Sequence, residues 1–196
     1  LHGILHSFPT RRSSDLFRGT IAVTASFRGQ SFVLPHENSD EASTVKNTVA
    51  YPVKSLNEAV SFLRGETGIK PVTWKETKRE LSPLSCLDFS EVKGQRAAKR
   101  AIEIAVAGGH MIMLIGPPGS GKTMLARRIP SILPPMDSDE ALEVTKIHSA
   151  AGITVHRPGL IWERPFRSPH YTASAVALAG GGSDPRPGEM SLAHNG

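Results

Sequence analysis

From Gln95 to Ala107 the apolar positions recur at helical spacing, with Ala98, Ile102, Ala105 and Val106 on one face and Gly108-Gly109 placed to end the helix. The period then changes. His110-Met111-Ile112-Met113-Leu114-Ile115 is a continuous apolar run bounded by glycines, the pattern of a buried central strand in a parallel sheet. A second helix is expected from about Gly121 to Ile129, stopped by Pro130, Pro134 and Pro135. Asp137-Ser138-Asp139-Glu140 supplies a cap and an acidic first turn for a third helix through His148, with Leu142, Val144 and Ile147 on its buried side. Beyond Gly152 the periodicity fades, and the Gly-, Pro- and Arg-rich tract 152–188 predicts a long functional loop or an insertion with short elements of its own.

The region before this pattern differs. Ile21-Ala22-Val23, Ser31-Phe32-Val33-Leu34 and Thr48 to Val53 are β-rich, and Asn38 is placed to cap a short helix. Ser55-Leu56-Asn57-Glu58 forms a capping-box pattern ahead of Leu56, Ala59, Val60 and Leu63 at helical spacing, with Gly65 at the end. Such a β-α-β-α unit of some fifty residues buries too little surface to stand alone, so residues 17–66 are expected to be the tail of a larger domain. Residues 67–87 show neither period and are expected to be a linker. His6 to Leu16, HSFPTRRSSDL, looks like the in-frame translation of a short-read sequencing adapter. Residues 1–16, adapter-derived or a disordered leader, are therefore set aside from the fold, and they lack a signal-peptide cleavage site.

Composition narrows the class. The 196 residues are 39% hydrophobic and 21% charged, which excludes wholesale disorder, and the apolar run around 101–115 is interrupted by Glu103, Gly108, Gly109 and His110, too soon for a membrane span. One cysteine, Cys86, and no zinc-type spacing fit a reducing, cytoplasmic compartment. The formal charge of +5 is too mild to imply nucleic acid by itself.

The chemistry lies in Gly116-Pro117-Pro118-Gly119-Ser120-Gly121-Lys122-Thr123, which satisfies G-x-x-x-x-G-K-[ST] between an apolar strand and a helix. Glycines let the backbone curl so that N–H groups converge on phosphate oxygens. Lys122 is the candidate catalytic residue, a point charge on the β- and γ-phosphates, and Thr123 offers its hydroxyl to Mg²⁺. ATP with Mg²⁺ is the expected cofactor pair. Of the remaining polar groups, His148, His156, His170 and His194 lack the i,i+4 spacing of a zinc helix, and Arg127-Arg128 suits a solvated face more than a neighbouring subunit or DNA.

Several strings around this loop add a resemblance. Asp88 to Gln95 (DFSEVKGQ), Ala105 to His110 (AVAGGH), Ile132-Leu133-Pro134-Pro135, Ile147 to Gly152 (IHSAAG), Pro165 to His170 (PFRSPH) and Pro185 to Gly196 resemble the Mg-chelatase-like AAA+ ATPases, the group that includes the competence protein ComM. Tyr171 departs from the second histidine common in that family. The resemblance implies an α/β fold, with an incomplete AAA+ parallel sheet over 88–196 preceded by the end of a Lon-protease-like domain over 17–66. It also implies that Val92 and Gly94-Gln95 line the adenine with backbone and apolar groups, and that Arg164, Arg167 and Arg186 belong to a mobile loop touching substrate. The Walker B carboxylates, sensors, lid and trans arginine would follow the segment matching Leu192 to Gly196, so the chain is expected to be a piece unfit for turnover alone. The intact protein is expected to be an ATPase that forms a homohexamer and migrates DNA branches. The alternatives are a magnesium-chelatase motor subunit and a Lon-linked ATPase or nucleotide-dependent scaffold.

Overall fold

The computed structural model describes residues 19–27, 29–75, 87–153, 159–182 and 185–196. The adapter-like leader, Cys86 and His156 lie outside them. The first element corrects an expectation: Ile21-Ala22-Val23 belongs to a helix, α1 (Thr20–Ser26), not to a strand. Ile21 and Ala25, four residues apart, bury one face, and Thr24 donates its hydroxyl to the Thr20 carbonyl at 2.9 Å. β-branched residues therefore sit in a helix because burial at helical spacing outweighs a weak local preference.

Strands β1 (Ser31–Pro35) and β2 (Val49–Val53) pair in parallel, with the short helix α2 (Ser39–Ser43) between them. Leu34, Ala42 and Ala50 make the core beneath that crossover. Helix α3 (Leu56–Leu63) follows as the capping pattern predicts: Ser55 Oγ accepts from the Glu58 amide at 3.2 Å, and Gly65 takes φ +76° past its end. Its apolar stripe is less buried than expected, since Ala59 is fully covered while Leu56, Val60 and Leu63 stay partly exposed. The expected linker contributes β3 (Val72–Thr73), antiparallel to β2, so β2 is the centre of a mixed three-stranded sheet. Two residues are too few to show a period.

Helix α4 (Arg96–Gly108) ends in left-handed Gly109, as the glycine pair predicts. The run 110–115 is the second correction. It is extended, but it forms no ladder with any described residue. Its alternation is that of a half-buried segment: Ile112 and Leu114 pack on the cluster of Phe89, Val92, Ile102 and Leu125, whereas Met111, Met113 and Ile115 are 98%, 78% and 87% exposed. A strand needs a paired neighbour, and the described residues supply none. Helix α5 (Lys122–Ala126) is shorter than expected, giving way to a 3₁₀ turn over Ile129–Ile132.

Helix α6 (Ser138–Ala150) carries the full capping box: Asp137 Oδ1 accepts from the Glu140 amide at 2.8 Å, and Glu140 Oε2 accepts from the Asp137 amide at 3.1 Å. It joins the two halves of the chain. Leu142 packs with Ile21, Ala25 and Val45, and Ser149 Oγ donates to the buried Glu41 carboxylate at 3.1 Å. The tract after Gly152 has the short elements anticipated for it: α7 (Ala175–Ala179), the pair β4 (Gly180–Gly181) and β5 (Arg186–Pro187), and α8 (Glu189–Leu192). Glycine is required just after β5, because a Cβ on Gly188 would lie 2.3 Å from the Gly180 nitrogen.

Candidate functional site

The loop 116–121 hangs between the extended run 110–115 and α5, and three features fix its shape. Gly119 and Gly121 adopt φ +78° and +85°, left-handed values that a side chain would strain. A Cβ on Gly116 would stand 3.1 Å from Ser120 Oγ, so the first glycine leaves room for the loop to fold over itself. Lys122 closes the curl, donating from Nζ to the carbonyls of Gly116 at 2.8 Å and Pro117 at 2.7 Å and to Ser120 Oγ at 3.2 Å. The ammonium is thus held by dipoles of its own loop, which an incoming anion replaces with full negative charge. Pro117 and Pro118 stiffen the exposed tip, and Thr123 is exposed at the start of α5.

A strap from Asp88 to Gln95 braces this loop. Asp88 Oδ1 accepts from the Ser90 amide at 2.7 Å, and that bond holds the carboxyl below the usual carboxylate range. The Phe89 amide donates to Ser131 Oγ at 3.0 Å, and Arg128 pairs with Glu91 at 2.8 Å, tying the strap to the turn after α5. Arg128 is therefore committed within the chain, while Arg127 is exposed. Val92 is 1% exposed and its side chain packs with Phe89, Ile102 and Leu125, so the residue is buried beneath the strap. Gly94 is exposed with φ +70°. Gln95 reaches across from the strap, its amide Nε2 donating to the Ser120 carbonyl at 3.2 Å. Neither this bond nor the Ser131 and Glu91 ties has a signature in residue spacing.

The basic tract departs from expectation. Arg164 serves as an internal brace, donating to the Pro134 carbonyl at 2.6 Å, the Asn195 carbonyl at 2.7 Å and both Glu140 oxygens at 3.3 and 3.0 Å. Arg167 grips Glu189 with two 2.6 Å bonds, which push the Glu189 carboxyl below its ordinary value and the guanidinium above its own. Both side chains are paired within the fold, which corrects the picture of free arginines at positions 164 and 167. An open cavity of about 440 Å³ lies beside that pair, between Phe166, His170, Ala177 and Glu189. The histidines are hydrogen-bonded too: His148 to the Leu192 carbonyl, His170 to Thr172 and His194 to Glu143, whose carboxyl is lowered by His194 first and Asn195 second. Tyr171, 91% exposed, lies against His170 with ring centroids 4.3 Å apart and the planes tilted by 36°.

A phosphate-sized anion and a hard cation both suit this donor set. The loop supplies backbone amides and one ammonium. The Thr123 hydroxyl, exposed and hydrogen-bonded to none of the described residues, is the kind of oxygen that Mg²⁺ takes alongside phosphate and water.

Comparison with known proteins agrees with that chemistry. The family profile described as magnesium chelatase, subunit ChlI, matches residues 88–196, from the strap to the last residue of α8's flank. A Mycobacterium tuberculosis protein of uncharacterized role is 46% identical over 165 residues, covering 84% of this chain and 32% of its own length. The competence protein ComM of Haemophilus influenzae is 38% identical over 200 residues, covering 92% of this chain and 38% of its own. YifB of Escherichia coli is 39% identical over 198 residues, covering 100% of this chain and 37% of its own. The chain thus spans about a third of the length of the relatives it matches.

Proposed function

Because the chain belongs to the magnesium chelatase subunit ChlI family, we propose that residues 88–196 hold ATP through Gly116–Thr123 as part of an AAA+ ATPase. The observation that carries this reading is the lysine-closed loop at the head of α5. Lys122 already sits on the inner side of the curl and exchanges two carbonyls for phosphate oxygens without rebuilding the backbone. Thr123 would hold Mg²⁺, which would supply positive charge against the charge that develops on the phosphate oxygens. Val92 and Gly94 would line the base, Gly94 with its exposed backbone and Val92 from the cluster with Phe89, Ile102 and Leu125 beneath it.

In the whole protein, nucleotide turnover is proposed to drive a cytoplasmic homohexamer along DNA, remodelling branches. The likeness to ComM supports this, as does the segment 19–75, which packs on α6 and belongs to the aligned region of that relative. A motor serving metal insertion into a tetrapyrrole, or one serving a Lon-like protease, is the competing reading. Residues 17–66 as the end of a Lon-like domain remain part of the proposal. The test is turnover by the purified whole protein: branched DNA is expected to raise ATP hydrolysis severalfold over unbranched duplex. Identical rates with branched DNA, duplex and no DNA would remove the DNA reading and leave nucleotide binding untouched.

A further inference from the structure

Gln95 occupies a conformation that its residue type does not favour. It opens α4 at φ 52°, ψ 34°, directly after Gly94 at φ +70°, and it is one of three non-glycine residues with positive φ among those described. A long side chain in the left-handed region is strained, and such strain persists where the surroundings impose it. Capping does not account for it, because Gln95 makes no side-chain cap to α4. The amide instead crosses to a loop 25 positions away in sequence, donating from Nε2 to the Ser120 carbonyl at 3.2 Å.

The consequence follows from peptide planarity. In a trans peptide the C=O and the next N–H point to opposite sides, so anchoring the Ser120 oxygen sets the direction of the Gly121 N–H. Gly121 is the residue least able to set it alone, lying at φ +85° with no side chain to restrict the plane. Ser120 is held on its other side through Oγ, which accepts from Lys122 Nζ at 3.2 Å. The peptide is therefore gripped from outside the loop by Gln95 and from inside by the lysine.

We propose that Gln95 is a positioning residue for the phosphate loop: it fixes the Ser120–Gly121 peptide so that the Gly121 N–H is presented to a bound diphosphate or triphosphate. This inference rests on the nucleotide-binding reading of Gly116–Thr123. It assigns the side chain to the phosphate end of the ligand, whereas the strap's backbone is assigned to the base.

The test uses the full chain, inorganic pyrophosphate and MgADP as probes, and two substitutions. Gln95→Asn suits the left-handed backbone but falls one methylene short of Ser120. Gln95→Glu keeps the length and lacks the donor. Asn is expected to melt at or above the temperature of the unsubstituted chain, and both variants are expected to bind pyrophosphate and MgADP about three- to tenfold more weakly, the scale of one lost hydrogen bond. Undiminished pyrophosphate affinity in both variants would overturn the proposal. So would weakened MgADP binding with normal pyrophosphate binding, which would move Gln95 to the base. If the unsubstituted chain binds neither probe, the nucleotide-binding reading itself fails.

Discussion

Lys122→Ala is expected to weaken MgATP and MgADP binding by about a hundredfold or more, while the melting temperature stays within a degree or two of the unsubstituted chain's. The affinity loss is that of two charge-assisted hydrogen bonds, each worth about 1.5–3 kcal/mol. Fold stability should barely respond, because among the described residues the ammonium bonds to its own loop alone, at Gly116, Pro117 and Ser120. Lys122→Arg separates charge from shape. The fork cannot enter a curl closed around a single nitrogen, so it should recover only part of the affinity. Calorimetric titration gives both numbers. An alanine variant that binds like the unsubstituted chain would show that the nucleotide sits elsewhere.

The second large effect concerns Arg164, and it is structural. Arg164→Ala is expected to cost about 2–4 kcal/mol, since it removes one guanidinium from four contacts, taking the donor from two carbonyls and leaving Glu140 with the Asp137 amide alone. The Arg164 side chain is 14% exposed and Glu140 34%, so the pair is partly shielded from solvent screening. For a chain of this size the loss corresponds to a fall in melting temperature on the order of 10 °C. Lys at this position keeps the charge but cannot reach Pro134, Asn195 and Glu140 together, and should recover less than half. Thermal denaturation decides the matter. An alanine variant that melts normally, with impaired response to DNA in the whole protein, would restore Arg164 to the substrate-contacting role expected from the sequence.

That reversal shows where sequence reading stops. The curl from Gly116 to Thr123 was legible as a shape because its determinants are local: glycines at fixed offsets, one lysine and a change of pattern on either side. The α6 capping box was legible for the same reason, with both partners within four residues. Arg164 was not, since its three partners lie 24 to 31 positions away and a guanidinium in a Gly- and Pro-rich tract looks free until the fold closes around it. The β-rich Ile21-Ala22-Val23 was misleading because its burial against α6, more than a hundred residues on, chooses the helix. The run 110–115 kept its apolar character but not its expected partners: its pattern foretells a strand, and only a neighbouring strand can make it one. Gln95 was noticed as part of the strap, yet its reach to Ser120 is a matter of positive φ and side-chain direction that composition does not encode.

The central claim is that nucleotide binds in the curl from Gly116 to Thr123 against the strap from Val92 to Gln95. Amide hydrogen exchange on the full chain with and without saturating MgADP tests it most directly, since bound phosphate protects the amides that face it. Slowed exchange is expected in peptides covering 116–123, with weaker protection over 92–95 and none around the Phe166–Glu189 cavity. Protection confined to 164–189, with the loop 116–123 exchanging as fast as before, would contradict it.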